Sequence, residues 1–458
     1  MENIILKLNN VSSCPSFKEF IERINNWYGE KIAFKNYKTY WTYNDLYYSI
    51  KKLIPYFRMR ETYYYCINIE NPVFFCMAFF AIIISGKVAI LGMFTQDTLE
   101  TVDEITENLV IELLAVTNPG FFPEICDNES LAVIAQSSGT TSVSKGVMLS
   151  QKNLLSDTVG GMQYYDYPMG AVYYHVLPYF HLFGVVADML GPLYSGGTIC
   201  FSENKLNFFK DVQYFKPTHM NLPPAIVYII EKMLTKTKNP IVATGGKLKK
   251  IMCAGAHLSE KSRKNLSEYG ILVFIAYGLT ECSPCVSMNS DIFFKPESVG
   301  RILPCCEVAI VDGEIVVRGD IVMLGYWNNP VDTSNTIRNG WLYTGDLGYI
   351  DDEGFLFLTG RKSNLIVFED GTKLIPELLE NAISSIPGVK ECAVIKNIVN
   401  YRTRIKIVVV AENHSDIDSL FHQVKFCIDR QNLLDRVIDV LFSEQELPKN
   451  KLGKLIRR

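Results

Sequence analysis

The chain has 458 residues, 48% of them hydrophobic and 21% charged, with a formal net charge of −4. That is the make-up of an ordinary globular protein, long enough for two domains. The slight negative charge argues against nucleic acid as a partner, which would call for a basic face.

The opening Met1-Glu-Asn-Ile-Ile-Leu lacks the basic start and cleavage site of a signal peptide. The longest apolar run, Pro72 to Gly86, falls short of the roughly 20 residues needed to cross a bilayer. It is expected to be a buried core helix, so no membrane span is expected. Cys66, Cys76, Cys200 and Cys253 sit inside apolar runs, as reduced core thiols of a cytoplasmic protein would. Cys282-Ser-Pro-Cys285 is a lone C-x-x-C, with Cys305-Cys306 some twenty residues later; zinc, which needs four ligands held tetrahedrally, is not expected, and a redox pair is the other reading.

From about residue 130 the grammar is that of an α/β protein. Leu131 to Ala135 reads as a buried strand, and Ser150-Gln-Lys-Asn-Leu-Leu opens like a capped helix. Between them lies Ser137-Ser138-Gly139-Thr140-Thr141-Ser142-Val143-Ser144-Lys145-Gly146, placed by this pattern on a strand-to-helix turn. Small residues let backbone N–H groups approach a ligand, and the hydroxyls and Lys145 add donors. The segment is a candidate polyphosphate cradle, although it lacks the Walker A spacing. Val172 to Leu177, Lys250 to Ala254 and Ile271 to Ala276 read as further strands. Ser259 to Gly270, with a serine start and a glycine stop, reads as the crossover helix between the last two. A largely parallel sheet follows.

After Gly300 the pattern turns antiparallel, with a hairpin signal at Asp312-Gly313 and a second hairpin from Tyr349 to Leu358. A last compact unit begins near Lys362: a helix with proline in its first turn from Pro376, a strand from Arg404 to Ala411, and a helix from Asp416 to Asn432.

Four motifs downstream of the Ser/Thr loop occur in order: Tyr277-Gly278-Leu279-Thr280-Glu281, Tyr343-Thr344-Gly345-Asp346, Gly360-Arg361-Lys362 and Pro448-Lys-Asn-Lys-Leu-Gly453-Lys454. With the loop they resemble the adenylate-forming superfamily of acyl- and aryl-CoA synthetases, firefly luciferase and peptide-synthetase adenylation domains. Ser144-Lys-Gly-Val-Met-Leu-Ser, Val322-Met-Leu-Gly-Tyr and Thr359-Gly-Arg-Lys-Ser-Asn-Leu-Ile are most similar to bacterial fatty-acyl or aryl-acid ligases. The match runs from about Leu131 to the last residue.

The resemblance implies an α/β fold: a large N-terminal domain of parallel-sheet subdomains closed by a small β-barrel (residues 1–361), and a small mobile α+β domain (362–458). It implies ATP, Mg2+ and a thiol acceptor, either coenzyme A or the phosphopantetheine of an acyl carrier protein. Ser137, Ser138, Gly139, Thr140, Thr141 and Lys145 would hold the phosphates. Glu281 would bind Mg2+, and Thr280 the α-phosphate. Tyr277, Gly278, Gly255, Ala256 and His257 would flank adenine, Asp346 would meet the ribose, and Arg361 the ribose or the phosphate. Lys454 would meet the reacting oxygens. The family's pivot matches Ser363, where Asp or Lys is usual; Ser142 and Ser144 depart from its usual glycine and proline.

Pro178-Tyr-Phe-His181-Leu-Phe-Gly184 stands where amino-acid-activating relatives carry an aspartate for the α-amine. An aromatic–histidine–aromatic cluster there implies a small-molecule fatty or aryl carboxylic acid, with His181 at the acyl tunnel. The leading reading is an AMP-forming acyl-CoA synthetase. An acyl–carrier-protein ligase is the second, and a catalytically silent acyl- or nucleotide-binding relative the third.

Overall fold

The computed structural model describes residues 16–92, 102–123, 127–137, 145–165, 168–203, 207–412 and 416–448. Contacts divide the chain into two compact units, one of residues 1–308 and 317–343, the other of 309–316 and 344–458.

Two sheets organise the first unit. A nine-stranded sheet runs in the order Arg301–Ile302, Ser287–Met288, Leu272–Tyr277, Lys250–Cys253, His219–Leu222, Val172–Tyr174, Thr198–Cys200, Ile32–Lys35, Tyr40–Thr42. Its centre is parallel and its two edges are antiparallel. The crossover helix Glu260–Ser267 starts where Ser259 accepts the Ser262 N–H, and the chain leaves it through Gly270 at φ +74°. A six-stranded sheet runs Gly325–Tyr326, Gly146–Ser150, Leu131–Gln136, Val88–Leu91, Tyr64–Asn68, Val102–Thr106. The apolar run expected in the core is the helix Pro72–Ile84, buried along almost its whole length and started by the Asn71 side chain. Among the described residues no helix is long and apolar enough to cross a membrane.

One expectation is corrected. The Ser/Thr/Gly segment does not join a strand to a helix. It joins Leu131–Gln136 to a second strand, Gly146–Ser150, paired antiparallel with it. The helix Gln151–Tyr164 begins only after that strand, with Ser150 and Asn153 capping each other's backbone N–H. The Ser150 cap is read correctly from sequence; the four residues before it form a strand with it because Val147 and Leu149 bury their side chains in the core.

The hairpins expected after Gly300 are present. Asp312 and Gly313 both take positive φ, as a two-residue hairpin turn requires. Strands Trp341–Ile350 and Leu356–Arg361 pair antiparallel. In the second unit, Val389–Val399, Arg402–Ala411 and Val437–Ser443 form a three-stranded sheet. Helices Pro376–Ser384 and Ile417–Asp429 bury Leu379, Ile383, Leu420, Val424 and Ile428 in the same core as that sheet.

Candidate active site

Parallel strands deliver their following loops to one edge, where α/β proteins place ligands. Here Cys253 pairs with Ile275, so Gly255 comes level with Tyr277 two residues on. Gly255 takes φ +91° in open space, a conformation that favours glycine. Ala256 is half-buried and His257 exposed beside it. Tyr277 is buried at the strand end. Gly278 must be small, since a Cβ there would lie 1.9 Å from the Pro284 carbonyl oxygen.

Thr280 and Glu281 sit on the short 3-10 turn Thr280–Cys282 that follows. Three bonds pin this turn to the segment 321–326: Met323 N–H donates to the Glu281 carbonyl at 3.0 Å, Ser283 Oγ to the Ile321 carbonyl at 2.7 Å, and Tyr326 Oη to Glu281 Oε1 at 2.9 Å. Tyr326 in turn is paired in register with Val147, two residues beyond Lys145. The Lys145 ammonium lies 4.7 Å from the Tyr326 ring centroid and 2.7 Å from Asp332 Oδ2. Ser137 and Lys145 exchange two bonds at the loop's neck: Ser137 N–H to the Lys145 carbonyl (2.9 Å) and Lys145 N–H to Ser137 Oγ (3.0 Å). The structure therefore brings Ser137, Lys145 and Glu281 together. Tyr326 and Asp332, which join them, were missed in the sequence, although Tyr326 closes the Val322-Met-Leu-Gly-Tyr motif. Ser138, Gly139, Thr140, Thr141 and Lys454 lie outside the described residues.

Glu281 is half-buried, and its second carboxylate oxygen, Oε2, accepts no hydrogen bond from the described residues. Among those residues no group of three or more His, Cys, Asp or Glu could hold a metal. A single oriented carboxylate fits Mg2+, which keeps waters and takes most remaining ligands from substrate phosphates; it does not fit zinc. None of the described cysteines, Cys282 and Cys285 among them, forms a disulfide.

His181 follows the strand Val172–Tyr174, with its N–H donating to the Pro178 carbonyl at 3.1 Å. Burial holds its pKa below the ordinary histidine value, which favours the neutral ring. Close in sequence is a second couple that the sequence reading missed. His175 Nδ1 lies 2.8 Å from Asp188 Oδ2, and Asp188 is fully buried. Asn221 Nδ2 donates to Asp188 Oδ1 at 3.3 Å and the Val176 N–H to Oδ2 at 3.3 Å. Asp188 stands on the π-helical stretch Gly184–Leu190, an irregularity found often at functional sites. The available signal was one acid inside the apolar run from Leu182 to Leu190.

In the second unit Asp346 and Arg361 face each other across the antiparallel pair, with Arg361 Nε 2.9 Å from Asp346 Oδ1. Asp346 is buried and its N–H donates to Thr344 Oγ1 at 3.0 Å. Glu314 takes the Gly345 N–H at 2.9 Å and the Lys362 ammonium at 2.6 Å. The sequence reading lacked Glu314.

The fold is that of the adenylate-forming enzymes. MatB from Rhodopseudomonas palustris, solved with ATP bound, superposes with a TM-score of 0.81 at 23% identity, over 95% of this chain and 96% of that one. The chain belongs to the AMP-binding enzyme family, whose profile matches residues 84–327. It is 29% identical over 355 residues to a long-chain-fatty-acid–CoA ligase of Escherichia coli O157:H7, covering 72% of this chain and 61% of that protein. It is 30% identical over 373 residues to 4-coumarate–CoA ligase-like 9 of Oryza sativa subsp. japonica, covering 75% and 65% respectively. The chain thus spans about three-fifths of the length of the curated relatives first matched.

Proposed function

We propose that the protein is an AMP-forming acid–thiol ligase, acting in the cytoplasm on a fatty or aryl carboxylic acid. A carboxylate oxygen attacks the α-phosphorus of ATP; the bond to the β,γ-diphosphate breaks, giving acyl-adenylate and pyrophosphate. The thiol of coenzyme A then attacks the acyl carbon, and AMP leaves with the bonding electrons. The observation that carries the reading is the Lys145–Tyr326–Glu281 arrangement, in which a cation and a half-buried carboxylate meet one aromatic side chain.

Negative charge on the phosphates is met by Lys145 and by donors of the 137–146 loop, with Ser138, Gly139, Thr140 and Thr141 among them. Glu281 would hold Mg2+, which neutralises charge and orients the departing pyrophosphate when bound. Thr280 donates to the α-phosphate. Tyr277 supplies a ring face to adenine, with Gly255, Ala256, His257 and Gly278 as the close-approach wall. The buried Asp346 carboxylate suits the ribose hydroxyls, with Arg361 as its charged neighbour. His181, held neutral by burial, lines the acyl path. The absence of an acid at this cluster fits a substrate without an α-amine.

Lys454 would approach the carboxylate and α-phosphate oxygens for the first step and withdraw for the second. We place the boundary for that motion at residues 361 and 362, with Ser363 as pivot; Ser363 is exposed, on the short turn Lys362–Asn364.

A screen of pyrophosphate release over a panel of carboxylic acids tests the reading, followed by mass spectrometry with coenzyme A and with a holo acyl carrier protein. AMP and pyrophosphate with a fatty or aryl acid, and thioester with coenzyme A, are expected. ADP as the nucleotide product contradicts the first step. Thioester on the carrier protein alone assigns the acceptor to the pantetheine arm of a protein.

A further inference from the structure

Lys145 meets Asp332 and Tyr326 at once. Its ammonium lies 2.7 Å from Asp332 Oδ2, and both side chains of that pair are about a third exposed, 35% and 36%. The Lys145 hydrogen bond, with a second from Asn329 Nδ2 at 2.9 Å, holds the Asp332 carboxyl below the usual carboxylate range. Asn329 caps the start of the helix Pro330–Thr336 by accepting the Asp332 N–H at 3.0 Å, and its side-chain amide donates back to the Asp332 carboxylate, so that carboxylate is held in place. The Tyr326 N–H donates to Thr333 Oγ1 of the same helix at 2.9 Å. Tyr326 is buried, and its hydroxyl donates to Glu281 Oε1.

Two functions follow from this geometry. A hydrogen bond to one carboxylate oxygen fixes the carboxylate plane and directs the other oxygen outward, which is how a supporting residue tunes a metal ligand. A fixed carboxylate beside a lysine competes with an arriving polyphosphate for the ammonium and repels it as a like charge, so phosphate binding favours displacing that carboxylate.

We propose that Tyr326 is a positioning residue joining the two charged ends of the nucleotide site, its hydroxyl orienting Glu281 and its ring seating Lys145, while Asp332 is the resident counter-ion that the ATP phosphates displace. The proposal rests on the adenylating reading for the identity of the nucleotide. It extends that reading to residues outside its reacting set.

Binding of ATP, measured by titration calorimetry in EDTA and again with Mg2+, tests it without any acid substrate. Asp332→Asn should tighten ATP in EDTA about three- to five-fold, since a partly exposed competing ion pair is lost. Tyr326→Phe keeps the ring, so its affinity in EDTA should stay within about twofold of the parent. The gain in affinity on adding Mg2+ should fall about tenfold, the scale for removing a residue that supports a metal ligand. Glu281→Gln should lose that gain directly, and Tyr326→Phe added to it should cost nothing more, because the two act through one carboxylate. This cycle holds even where the single variants melt early. An undiminished Mg2+ gain in Tyr326→Phe, additive losses in the double variant, or ATP affinity unchanged or weakened in Asp332→Asn would overturn the proposal. A chain that shows these shifts yet makes no AMP upholds this inference and refutes the adenylation reading. One that makes AMP without them does the reverse.

Discussion

His175 Nδ1 lies 2.8 Å from the fully buried carboxylate of Asp188, on a π-helical turn, with Asn221 and the Val176 N–H bonded to the same carboxylate. A buried acid with three donors is costly to remove, since each donor then loses its partner in a dry site. Asp188→Ala should destabilise the first unit by about 2–4 kcal/mol, since each buried donor left unpaired costs about 1–3 kcal/mol. Asp188→Asn should cost clearly less. Chemical denaturation of the three proteins followed by a probe in the first unit checks this; equal stability of Asp188→Ala and the parent would mean the network contributes nothing.

His219 gives the chain a pH signature. The ring is buried, packed 5.4 Å from the Tyr173 ring and 6.2 Å from the Tyr165 ring. Burial, then the charges of Lys250 and Lys249, lower its pKa to about 4. The unfolded chain therefore binds the proton first, near pH 6.5. Stability from this site is fully present above that pH and is lost as pH falls towards about 4. The loss between those limits amounts to about 3 kcal/mol, at 1.36 kcal/mol per unit. His219→Gln should flatten this slope relative to the parent in denaturation curves taken from pH 7 to pH 4. An unchanged slope in the variant would assign the acid sensitivity elsewhere.

Asp157 titrates in the opposite sense. It is almost wholly buried on the helix Gln151–Tyr164; Oδ1 accepts the Cys285 N–H at 3.2 Å and Oδ2 has no hydrogen-bond partner among the described residues. Burial, then nearby Cys305, push its pKa well above the usual value. The folded state thus binds the proton more tightly than the unfolded one. The stability this gives is present at low pH and is lost as pH rises through the folded-state value. Asp157→Asn keeps an acceptor for Cys285 and cannot ionise. It should match the parent near pH 4 and be the more stable of the two at higher pH, by on the order of 1 kcal/mol, the size of relieving one poorly satisfied buried group. Parallel melting temperatures of the two proteins across pH would contradict this.

What could be read from sequence was what local chemistry controls. The Ser259 cap and the Gly270 exit bracket the crossover helix, and Asp312-Gly313 marks its hairpin. The motif residues Tyr277 to Glu281 fall on a strand end and turn. The strand Gly146–Ser150 escaped because five residues carry little periodicity and the stronger signal at Ser150 belongs to the helix after it. Tyr326, Asp332 and the His175–Asp188 couple escaped for a different reason. Their partners are 45, 187 and 13 positions away in sequence, and only the sheet pairing and the π-turn bring them together. Asp346 and Arg361 were each legible as motif residues, but their direct pairing depends on strand register.

The central claim is that a carboxylate oxygen attacks the α-phosphorus of ATP. The most direct measurement supplies the acid substrate with both carboxylate oxygens as oxygen-18, lets the reaction run through to thioester, and weighs the nucleotide product. The account expects AMP carrying one heavy oxygen, with pyrophosphate unlabelled. ADP as product, or AMP without the label, would contradict it.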